Sequence, residues 1–188
     1  RAIEGKPTIE GAFCKVPITH QKTLKEIVEL LYAFKESRNN RLIPDMSDAF
    51  IKKLYSTYTS FLPIEGLSHD LVKHTDDRGS FTEFVKSMAG GQVSVNISKP
   101  GITKGNHWHH TKNEKFFVVQ GTGIIRFRRV DSDEVTEYPV SGAHHQVIDI
   151  PVGSTHNIEN TGDVDMITLM WVNEPFDPNH PDTMPLEV

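Results

Sequence analysis

"GITKGNHWHHTKNEKFFVVQG", Gly101 to Gly121, decides the fold, because it sets His107, His109, His110 and Glu114 between two glycines. In a strand, successive side chains point to opposite faces, so His107 and His109 share one face while Trp108 and His110 take the other. Glu114 follows the turn-like "HTKN" at the head of the apolar run "KFFVV", from where a neighbouring strand returns it to the same spot. A fourth candidate stands in "DIPVGSTHNIEN", where Pro151 and Gly153 make a tight turn and His156 opens the next strand. Three imidazoles and a carboxylate suit a borderline divalent metal, and with no cysteine nearby they leave coordination positions open. An isolated His-x-His in a strand is more often a surface pair; Glu114, His156 and the two glycines together reverse that reading. Trp108 reads as core or interface packing, and His110 as a solvated neighbour.

Beyond this stretch, the region after Gly66 reads as short Val, Ile, Phe and Thr runs broken by Gly, Pro, Asn and Asp about every ten residues. "SFTEFV", "GQVSVNIS", "TGIIRFRRV", "EVTEYPV", "HQVIDIPVG" and "DMITLMWVNE" are strands, and many short strands with regular turns mean a sandwich or barrel. The region before Gly66 has a helical period. Leu24, Ile27, Val28 and Leu31 recur at helical spacing after a Thr23/Glu26 capping box, which predicts a helix over 23–35. Phe50, Ile51, Leu54, Tyr55 and Tyr58 predict a second over 47–61, stopping before Pro63, with "RNNRLIPD" a loop between. The boundary is placed at Gly66, giving a helical segment 1–66 and a β domain 67–188.

The bulk composition narrows the function classes. At 188 residues, with 37% hydrophobic and 24% charged residues, the chain is that of a water-soluble globular protein with one sizeable core. No apolar run approaches the ~20 residues of a membrane span, and nothing at the start resembles a signal peptide, so neither a membrane nor an exported location is expected, and the reading is cytoplasmic. A net charge of -5 argues against nucleic acid as partner. The single cysteine, Cys14, forms no internal disulfide. "RFRR" is the one tight arginine cluster; cross-strand ion pairs are its ordinary reading, and an anion site at Arg126 the functional one.

The spacing Gly101-x5-His107-x-His109-x4-Glu114-x6-Gly121 resembles the first cupin motif, and Pro151-x-Gly153-x2-His156-x3-Asn160 most of the second. His145 stands where the second motif has a glycine. The resemblance implies a mainly β fold, the cupin jelly-roll barrel or double-stranded β-helix, here preceded by a short α-helical segment. "HTDDRGSFTEF", His74 to Phe84, is similar to the D-x-R-G-x-F-x-E strand of nucleotide-deoxysugar 3,5-epimerases, through Asp76, Arg78, Gly79, Phe81 and Glu83. In that family the arginine holds the nucleotide diphosphate, a role implied for Arg78; a surface salt bridge is its plain alternative. Lys104 matches the position of an arginine near the sugar phosphate. Glu114 replaces the lysine that stabilises the enolate, work that a metal held by Glu114 would take over.

The whole chain resembles the C-terminal part of bifunctional capsular-polysaccharide enzymes that join a short-chain reductase to a zinc-binding cupin. That resemblance implies Zn2+ as the metal, a UDP-sugar substrate, a homodimer, and C3 epimerisation of a UDP-2-acetamido-2,6-dideoxy-4-hexulose on the route to UDP-N-acetyl-L-fucosamine. Residues 1–66 then read as the last helices of the reductase. Neither a Gly-rich dinucleotide loop nor a Tyr-x-x-x-Lys pair occurs in the chain, so NADPH and reduction would belong to sequence outside it. For the base, His144 and His145 adjoin the strand "QVIDI" and alternation turns one of them inward; His145 is the candidate. The tyrosine acid of the deoxysugar epimerases has no counterpart in "DMITLMWV". A metal-dependent dioxygenase and a non-enzymatic sugar-binding cupin are the alternatives, since the fold hosts both.

Overall fold

The structure, a computed structural model, describes residues 4–16 and 18–188. It opens with a hairpin that the sequence reading did not anticipate, β1 (Thr8–Glu10) and β2 (Phe13–Lys15), exposed along its length. Helix α1 (Leu24–Asn40) starts at the expected capping box: Thr23 Oγ1 accepts from the Glu26 N–H at 3.2 Å, and the Thr23 N–H donates to Glu26 Oε2 at 2.7 Å. It runs five residues beyond the predicted end, through residues assigned to the loop. Arg41 stops it in the left-handed region, φ 65°, and Asn40 Oδ1 takes the freed Leu42 N–H at 2.8 Å. Helix α2 (Ala49–Ser60) is capped by Asp48, whose Oδ1 accepts from Phe50 N (2.7 Å) and Ile51 N (3.0 Å). The helices meet where the buried Phe34 ring packs edge-on against Tyr55 at 5.1 Å and beside Tyr58 at 5.6 Å. Leu24 and Val28 of the predicted stripe lie exposed instead.

After a 3-10 turn at Ile64–Leu67 come β3 (Lys73–Asp76), β4 (Gly79–Ser87), β5 (Gly91–Ser98), β6 (Thr103–Trp108), β7 (Glu114–Gln120) and β8 (Thr122–Arg129). β9 (Thr136–Ser141), β10 (Val147–Ile150), β11 (Ser154–Asn160), β12 (Met166–Val172) and the short β13 (Met184–Pro185) complete the chain. They form two antiparallel sheets, ordered β10-β7-β12-β5-β4-β3 and β13-β6-β11-β8-β9. Phe116 and Val118 (β7), Ile148 and Ile150 (β10) and Met166 (β12) meet Ile125 (β8), Val140 (β9) and Ile158 (β11) in one buried cluster, so the two sheets face each other across it. The helical segment is tied to this body at β4: Leu42 bridges Lys86, and Arg41 pairs with Glu83 at 2.6 Å. No helix among the described residues is long and apolar enough to cross a membrane.

Candidate metal centre

His107 and His156 are partners in register across β6 and β11, with ring centroids 4.7 Å apart. That pairing depends on Gly105. Its φ is 113°, and a Cβ there would lie 2.6 Å from the His156 carbonyl oxygen, so only glycine lets β6 approach β11 across the register shift at His156/Asn157. β6 ends at Trp108, so His109 lies just past the strand, yet it still turns inward and is 5% exposed, while His110 is exposed as expected. Glu114 arrives from the opposite sheet, at the first position of β7, between Ile150 of β10 and Val172 of β12. Side-chain donor atoms of His107, His109, Glu114 and His156 all lie within 4.8 Å of one another.

The protonation pattern of this cluster fits a cation. The ring Nδ1 of His109 is hydrogen-bonded to the Asp182 carbonyl oxygen, so it carries the proton and leaves Nε2 as a lone pair directed at Glu114, 3.5 Å away. His109 Nε2 and Glu114 Oε2 are both buried without a hydrogen-bond partner, two electron-rich atoms facing each other. Glu114 Oε2 also stands 2.9 Å from His156 Nε2. Burial disfavours the Glu114 carboxylate, but His109 and His156 outweigh it and bring the group down to about 2. Burial, together with the neighbouring His156 and His109, holds His107 down at about 4, so its ring is neutral at pH 7. Burial also works against a charged His109, but the Glu114 carboxylate and the Asp182 carbonyl prevail and raise it. An ionised carboxylate, a neutral His107 and two orphaned inward-facing atoms are features that a divalent cation requires of its ligands.

Asp182 is the residue the sequence reading missed. It sits at φ 39° in the tail before β13, and its carboxylate accepts the backbone N–H groups of His110 (2.9 Å), Thr111 (2.9 Å) and Lys112 (3.3 Å) and the Thr111 hydroxyl (3.0 Å). Burial works against the charge, yet these donors hold the carboxyl well below the usual range. The same residue thus clamps the loop after β6 and orients the His109 ring. Seventy residues separate it from that loop, and no spacing rule reaches so far.

Two cavities, of ≈480 and ≈430 Å³, meet at the cluster; His107 lines both, His156 the first, and His109 and Glu114 the second. Arg78 and Lys104 line the first. Arg78 is also in the plain salt bridge anticipated for it, its Nε and guanidinium N–H groups donating to Asp76 Oδ2 at 3.0 and 2.7 Å. Lys104 Nζ donates to Asn96 Oδ1 (2.9 Å) and the Ile97 carbonyl (2.8 Å), and burial lowers its pKa. Two candidate residues are not brought to the centre. Arg126 pairs across strands with Glu137 (2.5 Å) and Glu159 (2.6 Å), the ordinary reading of "RFRR", and lines neither cavity. His145 is exposed in the turn before β10 and packs edge-on to Phe117 at 5.0 Å; alternation puts Phe117 on the face opposite the buried Phe116, so His145 lies outside the barrel.

The profile of the polysaccharide biosynthesis C-terminal domain family matches residues 74–184, more than half of the chain. The chain belongs to this family. Beyond the domain itself, the chain is 38% identical over 164 residues to the UDP-2-acetamido-2,6-beta-L-arabino-hexul-4-ose reductase of Pseudomonas aeruginosa, covering 87% of this chain and 44% of that protein. The crystal structure of the capsular polysaccharide assembling protein CapF from Staphylococcus aureus superposes with a TM-score of 0.92 at 64% identity, over 100% of this chain and 55% of that one. The chain therefore spans about half the length of these relatives. An oxalate decarboxylase of Lactobacillus farciminis, 21% identical with a TM-score of 0.50 over 62% of this chain and 34% of its own, shares the fold alone. This polysaccharide biosynthesis domain is a mainly β cupin preceded by a short helical segment, as the motifs implied.

Proposed function

We propose that this domain epimerises C3 of a UDP-2-acetamido-2,6-dideoxy-4-hexulose in capsular UDP-N-acetyl-L-fucosamine synthesis, using a divalent metal, Zn2+, held by His107, His109, Glu114 and His156. The observation that carries the reading is the convergence of those four side chains, with two buried donor atoms left unsatisfied, at the junction of two cavities. The relative named for a UDP-hexulose reductase and the one named for capsular polysaccharide assembly support the substrate class and the pathway. On this reading the full protein carries an NADPH-dependent reductase domain, of which residues 1–66 are the end, and this chain itself reduces nothing.

Inversion at C3 removes a proton beside the C4 ketone, so negative charge develops on the ketone oxygen. A divalent cation supplies Lewis-acid stabilisation of such charge, worth several kcal/mol in a site shielded from water. Arg78 and Lys104, on the wall of the first cavity, supply the positive charge that a diphosphate demands. The hydroxyl and amide groups of Ser94 and Asn96, one on each cavity, offer hydrogen bonds to sugar hydroxyls. The domain works in the cytoplasm as a homodimer joined at a sheet edge, and the exposed strand β3 is such an edge. Elemental analysis of the purified protein together with C3 deuterium incorporation from heavy water tests the reading. Wild type should hold one metal and exchange the proton; His107→Ala and Glu114→Ala should lose both. Exchange persisting in a metal-free variant rejects it.

A further inference from the structure

We propose that His74 is the base that takes the C3 proton, an inference that rests on the epimerase reading above. Among the described residues, His74, Phe81, His107 and Met170 line both cavities, and His74 is the one titratable group of the four outside the candidate metal cluster. In β3 it stands directly opposite Phe81 of β4, and it shares its strand face with Asp76, which also lines the first cavity. Outside the candidate metal cluster, most of the other acid–base groups described on the two walls are committed. Asp76 is bound by Arg78, whose hydrogen bonds keep its carboxyl low. Glu83 pairs with Arg41 (2.6 Å) and Lys86 (3.0 Å), while Glu174 competes with Asp182 for the single Thr111 hydroxyl proton and lines the second cavity but not the first. Lys104 Nζ donates to Asn96 and Ile97 and Lys112 Nζ to the Pro181 carbonyl, so both act as proton-bearing donors rather than as bases. Among the described residues, this leaves His74 as the one uncommitted imidazole common to both walls, a side chain whose ring nitrogens can both take up and give back a proton.

The proton accounting is closed. An imidazole nitrogen of His74 takes the C3 proton; the C3–H electron pair becomes the C3–C4 double bond, and the carbonyl π pair moves to the C4 oxygen. On return, C3 takes a proton from water on the opposite face, the π pairs revert to the ketone, and the hydroxide left behind is neutralised by the proton on His74. Each inversion therefore places a solvent hydrogen at C3.

The test is proton NMR of the metal-loaded protein with the UDP-hexulose in heavy water, for wild type, His74→Gln and His74→Asn. General-base removal is expected to slow loss of the C3 signal by about 100-fold or more. Metal content, circular dichroism and substrate Kd should stay at wild-type values, and added imidazole should restore part of the rate. Wild-type exchange rates in both variants would overturn the assignment, and so would a rate loss that merely follows lost metal or lost substrate affinity. A metal-loaded wild type that never exchanges C3 would instead bring down the epimerase reading, and this inference with it.

Discussion

β5 and β7 flank the same strand, β12, in one sheet, yet they bury opposite chemistry. β7 turns Phe116 and Val118 inward beside Glu114. β5 buries Gln92, Ser94, Asn96 and Ser98, none more than 4% exposed, while Val93, Val95 and Ile97 between them are only half-buried. Burying amides and hydroxyls is costly unless they are bonded, and along β5 they bond each other: Gln92 Nε2 to Ser94 Oγ (3.0 Å), Asn96 Nδ2 to Ser98 Oγ (3.2 Å), with Lys104 Nζ closing the row on Asn96. One side of the barrel interior is therefore an apolar core, with Phe116 and Ile158 at the edge of the first cavity, and the other a hydrogen-bonded polar wall from which Gln92, Ser94 and Asn96 face the cavities. The difference teaches that in this barrel, inward does not mean apolar.

Breaking the apolar side should cost most. Phe116→Ala is expected to lose about 3–5 kcal/mol of stability in urea denaturation, as large-to-small changes in packed cores do. Next in size is the metal edge of β7: Glu114→Ala should weaken metal binding by at least ~100-fold in chelator competition, since even loss of a supporting partner costs about 10–100-fold. Asp182→Ala keeps the backbone carbonyl that meets His109 but removes the carboxylate clamp on the 110–112 loop, and metal release is expected to quicken roughly 10-fold in stopped-flow exchange against a chromogenic chelator.

The pH response of the metal-free protein sharpens the contrast further. His107 is held at about 4 against an ordinary 6.5, so the unfolded chain binds a proton there before the folded one does, and stability falls as pH drops from about 6.5 to about 4. Glu114, held at about 2, adds its loss below the ordinary carboxylate range. His109, being raised, contributes stability that is complete below 6.5 and fades as pH rises through its higher folded value. Urea melts of chelator-stripped protein at pH 7, 5 and 4 should show the first decline, and His107→Asn should flatten it. The smallest effect belongs to the polar wall: Ser94→Ala removes one acceptor from Gln92 and is expected to cost about 1 kcal/mol while leaving metal content unchanged.

Much of the fold was legible because it is written locally. The Thr23/Glu26 capping box, the strand runs and the His107, His109, Glu114, His156 spacing each depend on residues a few positions apart, and the structure carries them. Where reading failed, distance or context was the cause. α1 outran its apolar stripe because Arg38, Asn39 and Asn40 continue a helix without needing a buried face. His145 looked inward from alternation alone, but which face of β10 is inside depends on its pairing with β7. His74 stood inside a quoted motif without a role, since nothing in its neighbours shows that β3 edges the cavities.

Sequence by itself determined the period of each segment, the candidate ligand cluster and the spacing that puts His107 and His109 on one face, because backbone geometry repeats every two or 3.6 residues. Tertiary structure alone decided which face became the interior, that a tail residue such as Asp182 orients His109, and that the inner side of β5 is polar. Those outcomes follow from register between segments tens of residues apart, where hydrogen bonds and packing across the two sheets, rather than any local preference, select the partner.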